Sequence, residues 1–158
     1  GYGGSAAGDG LSNGSTLISA SRNSSIEIIE QTVPLLFSRH AVREGSAGAG
    51  RFRGGHGVEA AFTLRHGEAY LTLVGDRALK GAYGLHGGQD GAPADHDFTV
   101  SGETFKAPHL SKIDKLYLRQ GDGVFLRTPG GGGFGDAAER EPGAMARDRE
   151  NGYLDDKD

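Results

Sequence analysis

Two glycine-dense runs constrain this chain more than any other feature. They are Ser46–Gly57 (Ser-Ala-Gly-Ala-Gly-Arg-Phe-Arg-Gly-Gly-His-Gly) and Pro129–Gly135 (Pro-Gly-Gly-Gly-Gly-Phe-Gly). Clustered glycines permit positive φ and let other backbone approach closely. Strand-like segments precede both runs, Val33–Arg43 and Val124–Arg127, and Val58–His66 follows the first. The runs therefore read as rigid corners between strands. The first corner also carries two planar cations, Arg51 and Arg53, which can fork onto carboxylates or phosphates. Gly54, Gly55, Gly130 and Gly132 are expected to pack against neighbouring backbone, through positive φ or close contact, and so to fix both arginines.

Glycine makes up 29 of the 158 residues without a Gly-X-Y period, which excludes collagen and suits a turn-rich β protein. The length suits one domain. Cysteine is absent, so neither a disulfide framework nor a cysteine zinc site is available. No leader-like or bilayer-length apolar run is visible, which suggests the cytoplasm and no membrane. The net charge of −4 is localised: Asp136–Asp158 carries eight acids and four bases, whereas the preceding body carries thirteen of each. A balanced body has no electrostatic footprint for nucleic acid. The acidic tail reads as a solvated helix and terminus.

Alternation predicts strands at Leu35–Arg43, Val58–Leu64 and Ala69–Val74, the last two joined as a hairpin across His66-Gly67-Glu68. Asp97–Val100 and Thr104–Lys106 form a small hairpin over Ser101-Gly102-Glu103. Leu116–Leu118 is expected to pair with Val124–Arg127. Ser15–Ala20 is a short strand candidate. Ile26–Gln31 admits helix or strand, and its β-branching favours strand or a short turn. Pro142–Asn151 is the helix, with Pro142 at its first position, Gly152 just past its end and Leu154 packing back. Gly1–Gly14 and Gly81–Pro93 are expected to be ordered only against partner subunits, because fixing such chain is entropically costly. The expected fold is mainly β: antiparallel strands and glycine-rich loops with one C-terminal helix. It is a single domain, 1–158, divided into an arm (1–14), a β body (15–135) and an acidic helical tail (136–158).

No catalytic constellation emerges. Gly130-x-Gly132-x-x-Gly135 matches a dinucleotide fingerprint but lacks the βαβ context that would place a pyrophosphate. Neither run contains Gly-Lys-Ser/Thr, no Gly-x-Ser-x-Gly elbow occurs, and Arg53-Gly54-Gly55 is a single isolated Arg-Gly-Gly element. None of the six histidines forms a helical ligand pair. In Asp95-His96-Asp97 adjacent side chains would point to opposite faces, so the triplet reads as an exposed polar turn rather than a metal site. His56, in the first corner, reads as a hydrogen-bonded loop residue. Catalytic, cofactor-binding and metal-binding residues are assigned to none of the positions. Arg51, Arg53, Gly54, Gly55, His56, Gly130 and Gly132 are the structural or interface candidates.

The two runs, in this order, resemble the Gly-Gly-x-Gly-Arg-Tyr/Phe-Arg-Gly-Gly-x-Gly and Thr-Pro-Gly-Gly-Gly-Gly-Tyr-Gly-Asp segments of the hydantoinase B/oxoprolinase family. Asn23–Gln31, Gly75-Asp76-Arg77, Gly87-Gly88-x-x-Gly91-Ala92-Pro93, Glu139–Pro142, Ala146–Asp148 and Asn151-Gly152 also fit it. His56 stands where the family usually has an apolar residue. The resemblance spans nearly all of this chain but only the C-terminal part of a family member. It implies a subunit of a hetero-oligomeric ATP-dependent enzyme, inactive alone, and fits best the small subunit of an acetophenone carboxylase-type complex, which joins a ketone and bicarbonate into a β-keto acid. ATP and a divalent metal are then expected in partner subunits of hydantoinase A and B type, with no cofactor in this chain. An ATP-dependent hydantoinase or 5-oxoprolinase cleaving a cyclic amide is the alternative, and a non-catalytic binding module is a third. In an enzymatic role Arg51 or Arg53 would face a cleft shared with a neighbouring chain. Burial of both in internal ion pairs would mark a structural role.

Overall fold

A computed structural model describes residues 1–14 and 24–154, and the strand expected at Ser15–Ala20 lies outside them. The elements are α1 (Ile26–Thr32), β1 (Leu35–Arg43), β2 (Gly57–Leu64), β3 (Glu68–Val74), β4 (Asp95–Val100), β5 (Glu103–Phe105), β6 (Lys112–Arg119), β7 (Gly123–Arg127) and α2 (Pro142–Glu150). A one-turn 3-10 helix, Ala137–Glu139, precedes α2. The fold is mainly antiparallel β, as expected, with one helix near the C-terminal end. Five strands form a sheet in the order β1-β2-β7-β4-β5, and β3 pairs with β6 in a second, two-stranded sheet.

Period-two alternation gives the larger sheet two chemically different faces. On one face Leu64, Phe62, Val124 and Phe98 meet Leu118 and Ala107, and Leu71, Leu73 and Ile113 of the small sheet pack onto that cluster. Phe98, wholly buried, sits at its centre. The opposite face is charged. Arg127 reaches Asp95 and Asp97 at 2.5 Å each, Lys106 joins both carboxylates, and Arg39 pairs with Glu59. The triplet Asp95-His96-Asp97 is therefore strand, not an exposed turn. Its two aspartates face outward, while His96 is buried on the inner face and accepts at Nδ1 from the Arg127 N–H at 3.3 Å.

The hairpin of β4 and β5 forms across Ser101 and Gly102, both at positive φ (54° and 84°), as a tight primed turn requires. Two other pairings differ from expectation. β2 and β3 are not a hairpin, because both edges of β2 are taken, by β1 and β7. The chain instead turns at Gly67 (φ 77°) into the second sheet, where Ala69, Leu71 and Leu73 can cover the core. Likewise β6 pairs with β3, not β7. The corner between β6 and β7 is held by buried Asp122, whose carboxylate accepts from the N–H groups of Arg119 and Ser101 at 2.7 Å each. Those two backbone donors hold the Asp122 carboxyl below its usual range.

Ile26–Thr32 is helical rather than extended. Glu27, Glu30 and Gln31 are good helix formers, no described strand pairs with this segment, and none of its residues is buried. Pro34 stops the helix, and Val33 N–H closes its last turn onto the Ile29 carbonyl at 2.9 Å. Glu30 then accepts from the Phe37 N–H at 2.6 Å, tying α1 to β1.

Beside the sheets lies a glycine-rich layer held together by backbone hydrogen bonds. The arm 1–14, both glycine runs and the 81–93 loop hydrogen-bond to one another outside any sheet. Gly4 N–H donates to Gly132 O (2.8 Å), Gly55 N–H to Tyr2 O (2.7 Å), Gly48 N–H to Gly131 O (2.8 Å), Gln89 N–H to Ala49 O (2.7 Å) and Gly133 N–H to Gln89 O (2.9 Å). The arm and the 81–93 loop thus find their partners within this chain, so neither depends on a second chain for its backbone bonds. None of Gly54, Gly55, Gly130 or Gly132 has positive φ. Close approach alone requires glycine there: a Cβ on each would fall well under 3.0 Å from a backbone carbonyl, those of Gly131, Leu11, Ser46 and Tyr83 respectively. The would-be dinucleotide fingerprint is part of this packing.

Candidate functional site

The layer ends in a cluster of charges that joins four distant segments. Arg53 leaves the first glycine run and donates from Nε to Asp148 Oδ1 at 3.0 Å and from Nη1 to the Gly54 carbonyl at 2.9 Å. Arg140, ahead of α2, takes the other Asp148 oxygen at 2.5 Å and both oxygens of Asp9 at 2.8 Å. Asp9 Oδ1 also accepts from the Arg53 N–H at 2.9 Å. The cluster is two arginines against two aspartates, and it binds the arm, the first run, the 3-10 segment and α2 into one body. The hydrogen bonds it donates to Asp9 hold the Arg140 guanidinium above its usual range against the cost of burial. Burial pushes the Asp9 carboxyl up, but Arg140 and Arg53 together outweigh that and hold it below normal.

The end of α2 completes the arrangement. Gly152 (φ 67°) follows the helix, its N–H bonds to Arg149 O at 2.9 Å, and the Tyr153 N–H reaches back to Asp148 O at 2.8 Å. This double closure is the one that the glycine past a helix end makes possible. It swings Tyr153 over the Arg53 guanidinium, 5.0 Å from the ring centroid, and against His56 with centroids 4.8 Å apart.

The candidate residues therefore separate. Arg53 is internal: its carboxylate is Asp148 of the same chain, not a group on a neighbouring chain. Arg51 is not. Its side chain is 56% exposed, lies over Phe52 at 5.5 Å and approaches Glu139 only to 3.9 Å. It stands between two open clefts, one bordered by Gly8, Glu141 and Arg147, the other by His86, Phe134 and Asp136. Gly54, Gly55, Gly130 and Gly132 lie in the layer behind these arginines. His56 is a buried loop residue hydrogen-bonded through its backbone, its N–H donating to Ser12 Oγ at 2.9 Å, while neither ring nitrogen completes a hydrogen bond. Asp9, Arg140 and Asp148, which complete the cluster, were not singled out in the sequence. An aspartate among arginines on a short polar helix looks like any solvated face.

Burial, and then the Arg53 charge, push the His56 imidazole below its usual value, with the nearby Arg43 carbonyl and Asp148 opposing. Burial also lowers His96, against Asp95 and with Arg127, Lys106 and Arg43. Both groups are neutral in the fold and take up protons more readily once unfolded. Stability from this source is complete above the unfolded value of 6.5 and falls as pH drops from there towards the depressed folded values. Each unit of depression is worth about 1.4 kcal/mol. Urea unfolding between pH 8 and 5 should show this loss, and His56→Leu should reduce it. A flat profile in the unsubstituted chain would contradict it.

Comparison with known proteins decides the family. The model of the hydantoinase B/oxoprolinase family matches residues 1–137. The chain belongs to the hydantoinase B/oxoprolinase family. It is 31% identical over 156 residues to a putative D-/L-hydantoinase B-type chain of a Pseudomonas species, covering 97% of this chain and 26% of that one. An uncharacterised protein of Methanocaldococcus jannaschii is 36% identical over 126 residues, 80% of this chain and 22% of that protein. A 5-oxoprolinase of Saccharomyces cerevisiae is 32% identical over 109 residues, 69% of this chain and 8% of its own length. This family chain thus spans about a quarter or less of these relatives. Its fold recurs in a nucleotide-free acetone carboxylase (TM-score 0.78, 21% identity, 96% of this chain and 24% of that one). It recurs also in the ATP-dependent caprolactamase of Pseudomonas jessenii (TM-score 0.67, 24% identity, 84% and 23%). Among the described residues no helix is long and apolar enough to cross a membrane.

Proposed function

We propose that the chain is the small, mainly structural subunit of a cytoplasmic, hetero-oligomeric ATP-dependent carboxylase of the acetophenone carboxylase type, joining a ketone and bicarbonate into a β-keto acid. The observation that carries this reading is the division between the two arginines of the first run. Arg53 is spent on holding the chain together, whereas Arg51 is presented, largely unpaired, on a rigid backbone layer. A cation held out in this way suits a carboxylate or phosphate of a neighbouring subunit. ATP and a divalent metal belong to hydantoinase A-type and B-type partners. The isolated chain hydrolyses no ATP.

The test is purification of the native assembly, identification of its co-purifying chains, and assay of ATP turnover with acetophenone and labelled bicarbonate. Arg51→Ala is expected to leave melting of the isolated chain within about 0.5 kcal/mol of the original, as an exposed surface change does, while weakening assembly or activity at least about ten-fold. ATP turnover by the pure chain, or full assembly and activity of Arg51→Ala, would overturn the reading. The fold shared with a caprolactamase, and relatives named hydantoinase and 5-oxoprolinase, favour a second: a segment of an ATP-dependent enzyme that opens a cyclic amide. Turnover of hydantoin, 5-oxoproline or a lactam by the same assembly, with none of the ketone, would select it.

A further inference from the structure

The small sheet has two open edges, and an open edge presents unpaired N–H and C=O groups to any strand that aligns with it. β3 is open in this way. Gly75 N–H donates to Ser111 O at 2.9 Å, so alternation turns the N–H and C=O of Leu73, Leu71 and Ala69 towards β6 and those of Val74, Thr72, Tyr70 and Glu68 away from it. The other end of the pair agrees: Arg119, opposite Glu68, sends its N–H to the Asp122 carboxylate instead. Among the described residues no backbone group bonds to the outward set.

The other three sheet edges are blunted. β1 is bulged between Phe37 and Arg39, and the Glu30 side chain takes its Phe37 N–H. β5 is three residues long. β6 has an extra residue opposite Thr72, where Lys115 takes positive φ (50°), and it carries Lys112 as well. The N–H groups at its two ends turn back onto His109 O and Asp122. β3 has none of these devices. It runs for seven residues without Lys, Arg or Pro, and its outward Tyr70 and Val74 are 72% and 80% exposed. A long, neutral, unprotected edge is one that native proteins cover.

We propose that the β3 edge is the docking surface for the larger B-type partner, which adds one of its strands to the small sheet. This rests on the assignment of such a partner above. The chain spans 26% of the hydantoinase B-type relative, and its fold 24% of the acetone carboxylase chain, so most of such an enzyme lies outside it and has to meet it somewhere. A second copy fits the edge less well. Aligned over the whole strand, about Thr72, it would set Glu68 against the copy's Asp76 at both ends, and like charges placed opposite repel. In the added strand, apolar or β-branched side chains stand beside Tyr70 and Val74, while its inner face continues the row of Ala69, Leu71 and Leu73 over the core. Backbone bonds supply the affinity and these side chains the register.

Amide hydrogen exchange tests the edge, read residue by residue in the isolated chain and in the purified native assembly. In the isolated chain Tyr70, Thr72 and Val74 should exchange fast and Leu71 and Leu73 slowly. In the assembly the first three should slow by at least about 100-fold. Val74→Lys places a charge on the edge that an added strand would desolvate. It should leave melting of the isolated chain unchanged and weaken capture of the co-purifying B-type chain at least about ten-fold. Exchange is read whatever the assembly turns over, so a failed ketone assay and a free edge are separate results. Amides that stay fast in the assembly, protection that appears in the isolated chain as its concentration rises (a second copy on the edge), full capture by Val74→Lys, or an assembly without a B-type chain would each overturn the proposal.

Discussion

Gly132→Ala is expected to destabilise the chain by roughly 3–5 kcal/mol, combining steric overpacking with the loss of neighbouring backbone hydrogen bonds. The added Cβ would lie well under 3.0 Å from the Tyr83 carbonyl, and that carbonyl belongs to backbone which cannot swing aside. To make room, the second run must part from the 81–93 loop. Parting them strains the bonds from Gly4 N–H to Gly132 O and from Leu85 N–H to Gly133 O. For a chain of this size the loss corresponds to a fall in melting temperature of about 10 °C. Gly102→Ala is the control. Gly102 has φ 84° and open space around its would-be Cβ, so only backbone strain of about 1–2 kcal/mol applies. Thermal unfolding of both variants separates the two causes. Equal and small losses would mean that the layer is not held together by close backbone approach.

Glycine's two uses mark how far the sequence was informative. The two glycine runs were recognisable as corners for a sound reason, the absence of Cβ, although the operative effect is close approach at all their glycines but Gly135, which has φ 74°. Strand β1 was legible because Leu35, Phe37 and Arg39 alternate with Leu36, Ser38 and His40 after Pro34, and the hairpin of β4 and β5 because Ser101-Gly102 suits a primed turn. Helix α2 announced both its ends, at Pro142 and at Gly152. Sheet order was not legible. The partner of β2 on its second edge is β7, far along the chain, and nothing local to either strand names the other. The hairpin expected between β2 and β3 followed a genuine turn at Gly67, but that turn leads between sheets. Ile26–Thr32 misled because β-branching was weighed above the helix-forming Glu27, Glu30 and Gln31. The charge cluster was invisible for the same reason as the sheet order: Asp9, Arg53, Arg140 and Asp148 are brought together only by the fold, and each in isolation is an ordinary surface residue.

The cluster supplies the second large effect. Asp148→Ala removes a carboxylate whose side chain is 6% exposed and leaves Arg53 and Arg140, 14% and 9% exposed, facing one another with Asp9 alone between them. Truncating one member of a buried charge group leaves an uncompensated charge, and about 3–5 kcal/mol is the expected cost. Arg53→Ala should cost less, because Asp148 keeps Arg140, but it also strips Tyr153 of its cation and loosens the closure over His56. Arg53→Lys should recover little of that, since an ammonium cannot serve Asp148 and the Gly54 carbonyl with the geometry of the guanidinium fork. The double variant Arg53→Ala/Asp148→Ala should be less damaging than the sum of the two, with a coupling of about 1–3 kcal/mol. Because the pair is largely shielded from solvent, raising salt should change this coupling little, unlike that of an exposed pair such as Arg51 and Glu139. Urea unfolding of the four variants of the cycle measures it directly. Strict additivity, or an Asp148→Ala chain as stable as the original, would show that the arm, the first run and α2 are held by packing and not by these four charges.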